Sequence, residues 1–253
     1  MLILLPPSEG KTSPTQGPTL HESTLSFPDL NPTRERILTA LIALCRRPAT
    51  AKRVLGLGPA QESDITTNRD VAGAPCAPAI DIYTGVLYDA LDVRSLTNAQ
   101  RVRLEETVVI GSALWGLVRA GDFIPAYRLS GDTRLPRLDT LASLWREPIT
   151  KTLSNTSGPI LDLRSATYQY GQLPARPDVL LARVLLERDG KRTVVTHHNK
   201  ATKGRVVRAL MTARRRPRTL DDAIAILHDS GITCELSNSG RGTPTLDLIT
   251  SHW

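Results

Sequence analysis

Aromatic side chains are scarce in this chain of 253 residues: two Phe, three Trp and five Tyr make up 4% of it. So thin a supply counts against a stacking platform for single-stranded nucleic acid, in which successive bases lie on successive rings. Cysteine is scarcer still. Cys45, Cys76 and Cys234 are odd in number and form no CxxC pair, which argues against a disulfide framework and against a thiolate zinc or iron–sulfur site; buried, inert thiols are expected. No stretch approaches the ~18 consecutive apolar residues of a spanning helix. The apolar start halts at Pro6-Pro7, too soon for the core of a secretory signal, so the expected location is the cytoplasm.

Acidic residues are missing from one region in particular. Residues 190–220 hold Lys191, Arg192, Lys200, Lys203, Arg205, Arg208, Arg214, Arg215, Arg216 and Arg218 and no Asp or Glu, whereas the whole chain carries +7. Removing this segment's ten charges leaves the rest at −3. The basicity is local, and a local concentration points to an anionic partner; the plain alternative is a solvated helix face and a basic loop. Hydrophobic residues at 40% and charged residues at 23% describe an ordinary globular protein. With no internal repeat and no clear linker, a single domain over residues 1–253 is expected.

Local patterns supply the elements. Leu2–Leu5 reads as a buried strand stopped by two prolines. Asn31-Pro32 is a helix start, with Asn as cap, ahead of Ile37, Leu38, Leu41, Ile42 and Cys45 at helical spacing. A short helix ends near Leu55, Gly56-Leu57-Gly58-Pro59 breaks it, and another helix begins in 60–68. Residues 79–91 carry both strand and helix signals. Residues 97–106 read as helix, then Val108, Val109 and Ile110 as strand, opening at Gly111-Ser112 into a short helix through Leu117. Asp139 caps a further helix that Pro148 either kinks or divides. Residues 160–163 form a strand. Residues 179–187 and 192–198 form a hairpin around Asp189-Gly190, a pair suited to a tight primed turn. Thr219 and Asp222 make a capping box, and strands near 232–236 and 245–249 end the chain. Alternating strands and helices with two hairpins predict an α/β fold, a mixed sheet flanked by helices.

Three constellations could carry chemistry. Gly56 and Gly58 lie in a bend resembling the hairpin of a helix-hairpin-helix element, which grips phosphates without reading bases; Lys52 and Arg53 add charge there, and Glu62 and Asp64 subtract it. The bland alternative is an ordinary helix–helix turn. In the helix from Asn199, a 100° step puts Lys203 on one face with Val206, Val207 and Leu210, so Lys203 points inward. Together with Lys200 and Gly204 at the first turn, it suits a phosphate or carboxylate, unless its stem merely snorkels over apolar surface. Ser8, Glu9 and Lys11 form a polar cluster after the first strand. Gly10-Lys11-Thr12 is no P-loop, because the required earlier glycine is Leu5.

Other signatures are absent. His197 and His198, adjacent on a strand, face opposite ways and cannot share a metal, and no GxSxG nucleophile elbow occurs. No metal or cofactor is expected. Asp81, Tyr83, Arg128, Lys151 and Asp162 could line a cleft.

The segments LILLPPSEGKT, DIYTGVL, SALWGLVRAGDFIPAYRLSGDTRL, LWREPITKTL and HNKATKGRVVRALM together resemble the YaaA family, bacterial proteins named for a role in peroxide stress. The middle block is the most specific, through Gly116-Leu117, Arg119, Asp122, Pro125, Tyr127-Arg128-Leu129 and Leu144-Trp145. The resemblance implies a compact mixed α/β fold with a basic cleft, double-stranded DNA binding aided by the helix-hairpin-helix element, and a role in limiting free iron under peroxide stress. By position it assigns Ser8, Lys11, Tyr83, Gly85, Arg128, Lys151, Lys200, Lys203, Gly204 and Arg208 to the cleft. Pro148 and the segment SATYQYGQ depart from the family pattern, which leaves Tyr168 and Tyr170 without a carried-over role. No ExxH pair or thiolate cluster supports direct iron storage.

Two functional expectations follow. The first is a non-enzymatic binder of double-stranded DNA. The second is an enzyme acting on a nucleotide or another phosphate-bearing small molecule, with Lys11 and Lys203 on the phosphate and Glu9 or Asp162 as acid or base.

Overall fold

The computed structural model describes residues 1–195, 199–238 and 244–251. In chain order these form β1 (Leu2–Leu5), α1 (Asn31–Cys45), α2 (Pro48–Leu55), α3 (Ser63–Arg69), β2 (Cys76–Pro78), α4 (Ala79–Ile82), α5 (Val86–Leu91), α6 (Asn98–Thr107), β3 (Val108–Ser112), β4 (Gly116–Arg119), β5 (Phe123–Pro125), α7 (Leu141–Ser154), β6 (Ile160–Asp162), β7 (Val179–Arg188), β8 (Lys191–Val194), α8 (Asn199–Thr212), α9 (Leu220–Asp229), β9 (Cys234–Asn238) and β10 (Pro244–Thr250). The expected mixed sheet with flanking helices is present. Its strand order is β4-β3-β1-β6-β7-β10-β9, with β8 also on β7, and β2 and β5 form a small separate ladder.

Strands β1, β3, β6, β7 and β10 run parallel, while β4, β8 and β9 are antiparallel to their neighbours. Every residue of β1, β3 and β6 is buried, as parallel strands covered on both faces must be. From β1 the chain goes to β3 on one side and later to β6 on the other. The connections diverge at the carboxyl end of β1, and the crevice left at such a reversal is where open α/β sheets bind ligands. Strand β10 takes one edge of β7 through residues 181–186, so β6 (pairing 179–181) and β8 (pairing 185–188) share the other. The β7–β8 hairpin thus extends past the end of β6 and leads into α8.

Several local signals act as read. Asp189 and Gly190 both take positive φ, +52° and +72°, the primed geometry that matches strand twist. Thr219 accepts from Asp222 N at 3.0 Å while Asp222 accepts from Thr219 N at 3.0 Å. All three cysteines are free and buried, and burial raises each thiol pKa.

Other expectations need correction. Residues 113–117 are not a helix: a turn follows β3, and β4 returns antiparallel. Gly116 at φ +71° makes that return possible, and a Cβ there would come within 2.7 Å of the Trp145 ring. The cap of α7 is Thr140, which accepts from Ser143 N at 3.1 Å, not Asp139. Helix α7 runs unbroken through Pro148. Asn31 lies inside α1, where its side chain accepts from Arg34 at 2.7 Å, and Leu30 takes the cap position. The ambiguous stretch 79–91 is two helices, α4 and α5, parted at Gly85 with φ +94°. Strand β8 stops at Val194; His197 and His198 lie outside the described residues. Among the described residues, no helix is long and apolar enough to cross a membrane.

Candidate functional site

The carboxyl end of β1 continues into residues 6–11, which are pinned to the segment before α5. Lys11 forms a β-bridge with Tyr83, Thr12 N donates to Ile82 O at 2.8 Å and Thr84 N to Gly10 O at 3.1 Å. Ser8 joins this frame by accepting from Thr84 N at 3.1 Å and donating to Gly10 O at 2.6 Å. The ammonium of Lys11 donates to the carbonyls of Ser8 (2.9 Å) and Glu9 (3.5 Å). It lies 4.3 Å from the Tyr127 ring centre and 5.3 Å from that of Tyr83, within cation–π range. Burial lowers its pKa to about 8, with Glu9 opposing the shift and Arg128 adding to it.

Arg128 comes to the same place from the chain beyond β5. Its guanidinium meets the Glu9 carboxylate at 3.0 Å and the Glu9 carbonyl at 3.3 Å. Asn68, fully buried in α3, holds the Arg128 backbone from both sides, donating to its carbonyl and accepting from its N–H, each at 2.8 Å. The helix after the glycine bend therefore serves to fix Arg128.

Although tyrosine is rare, all five tyrosines gather around this strand end. Tyr83 stacks on Tyr88 at 5.5 Å, Trp115 meets Tyr127 edge-on at 6.0 Å, and Tyr168 meets Tyr170 edge-on at 6.0 Å. Tyr88 donates to Pro6 O at 2.8 Å and Tyr168 to the Glu9 carboxylate at 3.5 Å. Burial raises the pKa of all five phenols, which keeps them protonated donors.

At the end of β6, Asp162 is bound by Arg164 through Nε (2.9 and 3.2 Å) and a terminal nitrogen (2.8 Å), both side chains being 1% exposed. Lys203, in the second turn of α8, is 4% exposed and makes no hydrogen bond or ion pair with any described residue. Its pKa falls to about 8 through burial, with the Asp162 charge pulling the other way. Gly204 is a packing contact: a Cβ there would lie 2.1 Å from Leu87 O of α5. That close approach seats α8, and so Lys203, against α5.

The remaining expected site residues do not join this cluster. Lys52 pairs with Glu62 at 2.5 Å. At the glycine bend the N–H groups of Gly56, Leu57 and Gly58 donate to Arg53 O, Lys52 O and the Gln61 side chain, so those amides are occupied within the turn. Lys151 is exposed and pairs with Asp29 at 3.2 Å. Arg208 closes the end of α5, donating to the carbonyls of Leu91 and Asp92 at 3.0 Å each. Lys200 is exposed at the start of α8.

The basic run divides between the two ends of the central strands. Lys203 lies near the carboxyl end of β6, whereas Arg216 pairs with Glu106 in the last turn of α6, just before β3 begins. Arg103 likewise donates to Met211 O and Ala213 O at the far end of α8. Arg214, Arg215 and Arg218 are exposed there.

Sequence reasoning gave no role to Ser112, Asn68 or Arg164. Ser112 had a usable signal, as a polar residue ending a wholly apolar strand; Asn68 and Arg164 act through partners far away in the chain or hidden by the fold. Much of the middle motif is structural. Asp122 accepts from Arg119 N (2.9 Å) and from Ser26 N and Oγ (3.1 and 2.7 Å), and Trp145 donates to Ala113 O at 2.9 Å.

The family model described as peroxide stress protein YaaA matches residues 1–227 of this chain. Over 250 residues the chain is 40% identical to a UPF0246 protein of Streptomyces coelicolor, covering 96% of this chain and 95% of that protein. A UPF0246 protein of Corynebacterium efficiens is 43% identical over 251 residues, 97% and 99% of the two chains. An uncharacterized protein of Campylobacter jejuni is 28% identical over 207 residues, 81% and 82% of the two.

Proposed function

Because the chain belongs to the peroxide stress protein YaaA family, we propose that it acts in the peroxide-stress response by holding a phosphate-bearing small molecule at the carboxyl ends of β1, β3 and β6. One observation carries this reading: Lys203, only 4% exposed in the second turn of a 14-residue helix, has no acceptor for its ammonium among the described residues. A nearly buried charge without a partner is costly, and an anion near the N-terminal end of α8 would offset that charge and be favoured by the helix dipole. Lys11 and Arg128 supply further positive charge at the neighbouring strand end. If the ligand is turned over, Glu9 is the carboxylate left for acid–base work, since Asp162 is enclosed by Arg164.

Double-stranded DNA is the second reading, favoured by Arg214, Arg215 and Arg218, which are exposed and make no ion pair among the described residues. It places the polyanion at the opposite ends of the central strands, not at Lys203. Thermal melting with inorganic phosphate, a nucleotide and duplex DNA at low and high salt separates the two. The small-molecule reading requires that phosphate or nucleotide raise the melting temperature and that Lys203→Met remove the effect. It is refuted if only duplex DNA stabilises, equally in Lys203→Met, with a steep salt dependence that is lost when the three arginines become Gln.

A further inference from the structure

The hydrogen bonds around Ser112 leave one phenolic proton over. Ser112 Oγ accepts the N–H groups of Leu114 (3.2 Å) and Trp115 (2.9 Å), which occupies both its lone pairs. Its own proton must therefore go to the Tyr127 hydroxyl, 2.7 Å away. The Tyr127 and Tyr83 hydroxyls are 2.9 Å apart, and only one of their two protons can lie between them. The other has no acceptor among the described residues. Each remaining tyrosine does have one: Pro6 O for Tyr88, the Glu9 carboxylate for Tyr168, and Gly131 O for Tyr170.

The surplus proton lies between residues 2% and 3% exposed, where a buried donor needs a partner. Over the same two rings sits Lys11, whose ammonium has three protons and two described acceptors. Two unused donors, one of them cationic, thus converge at the carboxyl end of β1.

We propose that Ser112, Tyr127, Tyr83 and Lys11 form a donor set that binds one anionic oxygen of the ligand. This rests on the anion reading above and adds a second contact point to Lys203. Ser112 acts as a positioning residue, because its proton occupies one lone pair of the Tyr127 oxygen and so leaves one phenolic proton of the pair to be donated elsewhere. Burial raises the pKa of both phenols, so they donate without ionising, as neutral groups do in oxyanion sites.

The test uses full-length protein carrying 13C-labelled tyrosine, titrated with inorganic phosphate and separately with acetate, alongside calorimetry of Tyr83→Phe and Tyr127→Phe. Phosphate should move the Tyr83 and Tyr127 ring signals saturably, and each Phe variant should bind it about tenfold more weakly or worse, the loss of a charge-assisted hydrogen bond. An equal response to acetate supports the donor set as a site for an anionic oxygen of either kind; a response to phosphate alone supports it and assigns a phosphoryl oxygen. If phosphate binds through Lys203 while both ring signals stay in place and the variants bind as wild type, the phenolic proton is held by resident water and this proposal falls, the anion reading standing. If wild type binds neither anion, both fall. The wild-type titration decides even where a Phe variant does not fold.

Discussion

Replacing Lys203 with Met should stabilise the free protein, and by an amount that depends on pH in a defined way. Burial lowers the Lys203 pKa from 10.5 to about 8, whereas the unfolded chain keeps the ordinary value. Between those values the unfolded state binds more protons, so wild-type stability rises with pH across that window. Below pH ~8 the ammonium is charged in both states and the full penalty applies, about 3 kcal/mol at 1.36 kcal/mol per pKa unit. By about pH 9.5 the penalty shrinks to roughly 1.5 kcal/mol. Met retains the shape of the apolar stem without the charge. Urea unfolding of both proteins at about pH 6.5 and pH 9.5 gives a difference curve from which every other titrating group cancels. The variant should be more stable by up to about 3 kcal/mol at the lower pH, with the gap narrowing at the higher one. A variant less stable than wild type at about pH 6.5, with a gap independent of pH, would mean that Lys203 has a partner in the free protein, and the argument for an anion there would be lost.

Three further outcomes follow. Phosphate affinity should decline above pH ~8, where the phosphate is already a dianion, because Lys11 and Lys203 both lose their protons in the free protein as pH rises through about 8; calorimetric titration from about pH 8 upward checks the direction. Asp162→Asn should cost about 3–5 kcal/mol in urea unfolding, because it leaves the enclosed Arg164 charge uncompensated, whereas Lys52→Ala, at a half-exposed pair, should cost no more than about 1 kcal/mol. Gly204→Ala should lower stability by about 2 kcal/mol or more in thermal or urea unfolding, since its Cβ would meet Leu87 O at 2.1 Å and push α8 off α5.

The parts of the fold legible in the sequence were those set by short-range chemistry. Asp189-Gly190 specifies its turn, Thr219 and Asp222 specify a helix start, and the apolar Leu2–Leu5 run specifies a buried strand. Strand β4 was missed because residues 113–118 are almost wholly apolar, and a buried apolar run has no periodicity to separate strand from helix. The inward face of Lys203 was readable from helical spacing. The dispersal of Lys52, Lys151 and Arg208 was not, because their partners Glu62, Asp29 and Asp92 are chosen by packing between elements. Nor could spacing reveal that residues as distant as Tyr83, Tyr127 and Tyr168 meet at one strand end.

Helix α8 joins two charge centres that ordinary buffers would treat as strangers. From Lys203 to the end of α8 at Thr212 is nine residues, or roughly 14 Å of rod, with Arg214 two residues beyond, a separation larger than the screening length of about 8 Å at physiological ionic strength. In the cell, whatever settles at one end is electrostatically invisible to the other. In dilute buffer the screening length grows to about 30 Å and the whole helix acts as a single magnet for anions. Only titrations near physiological salt will therefore tell the two ends apart.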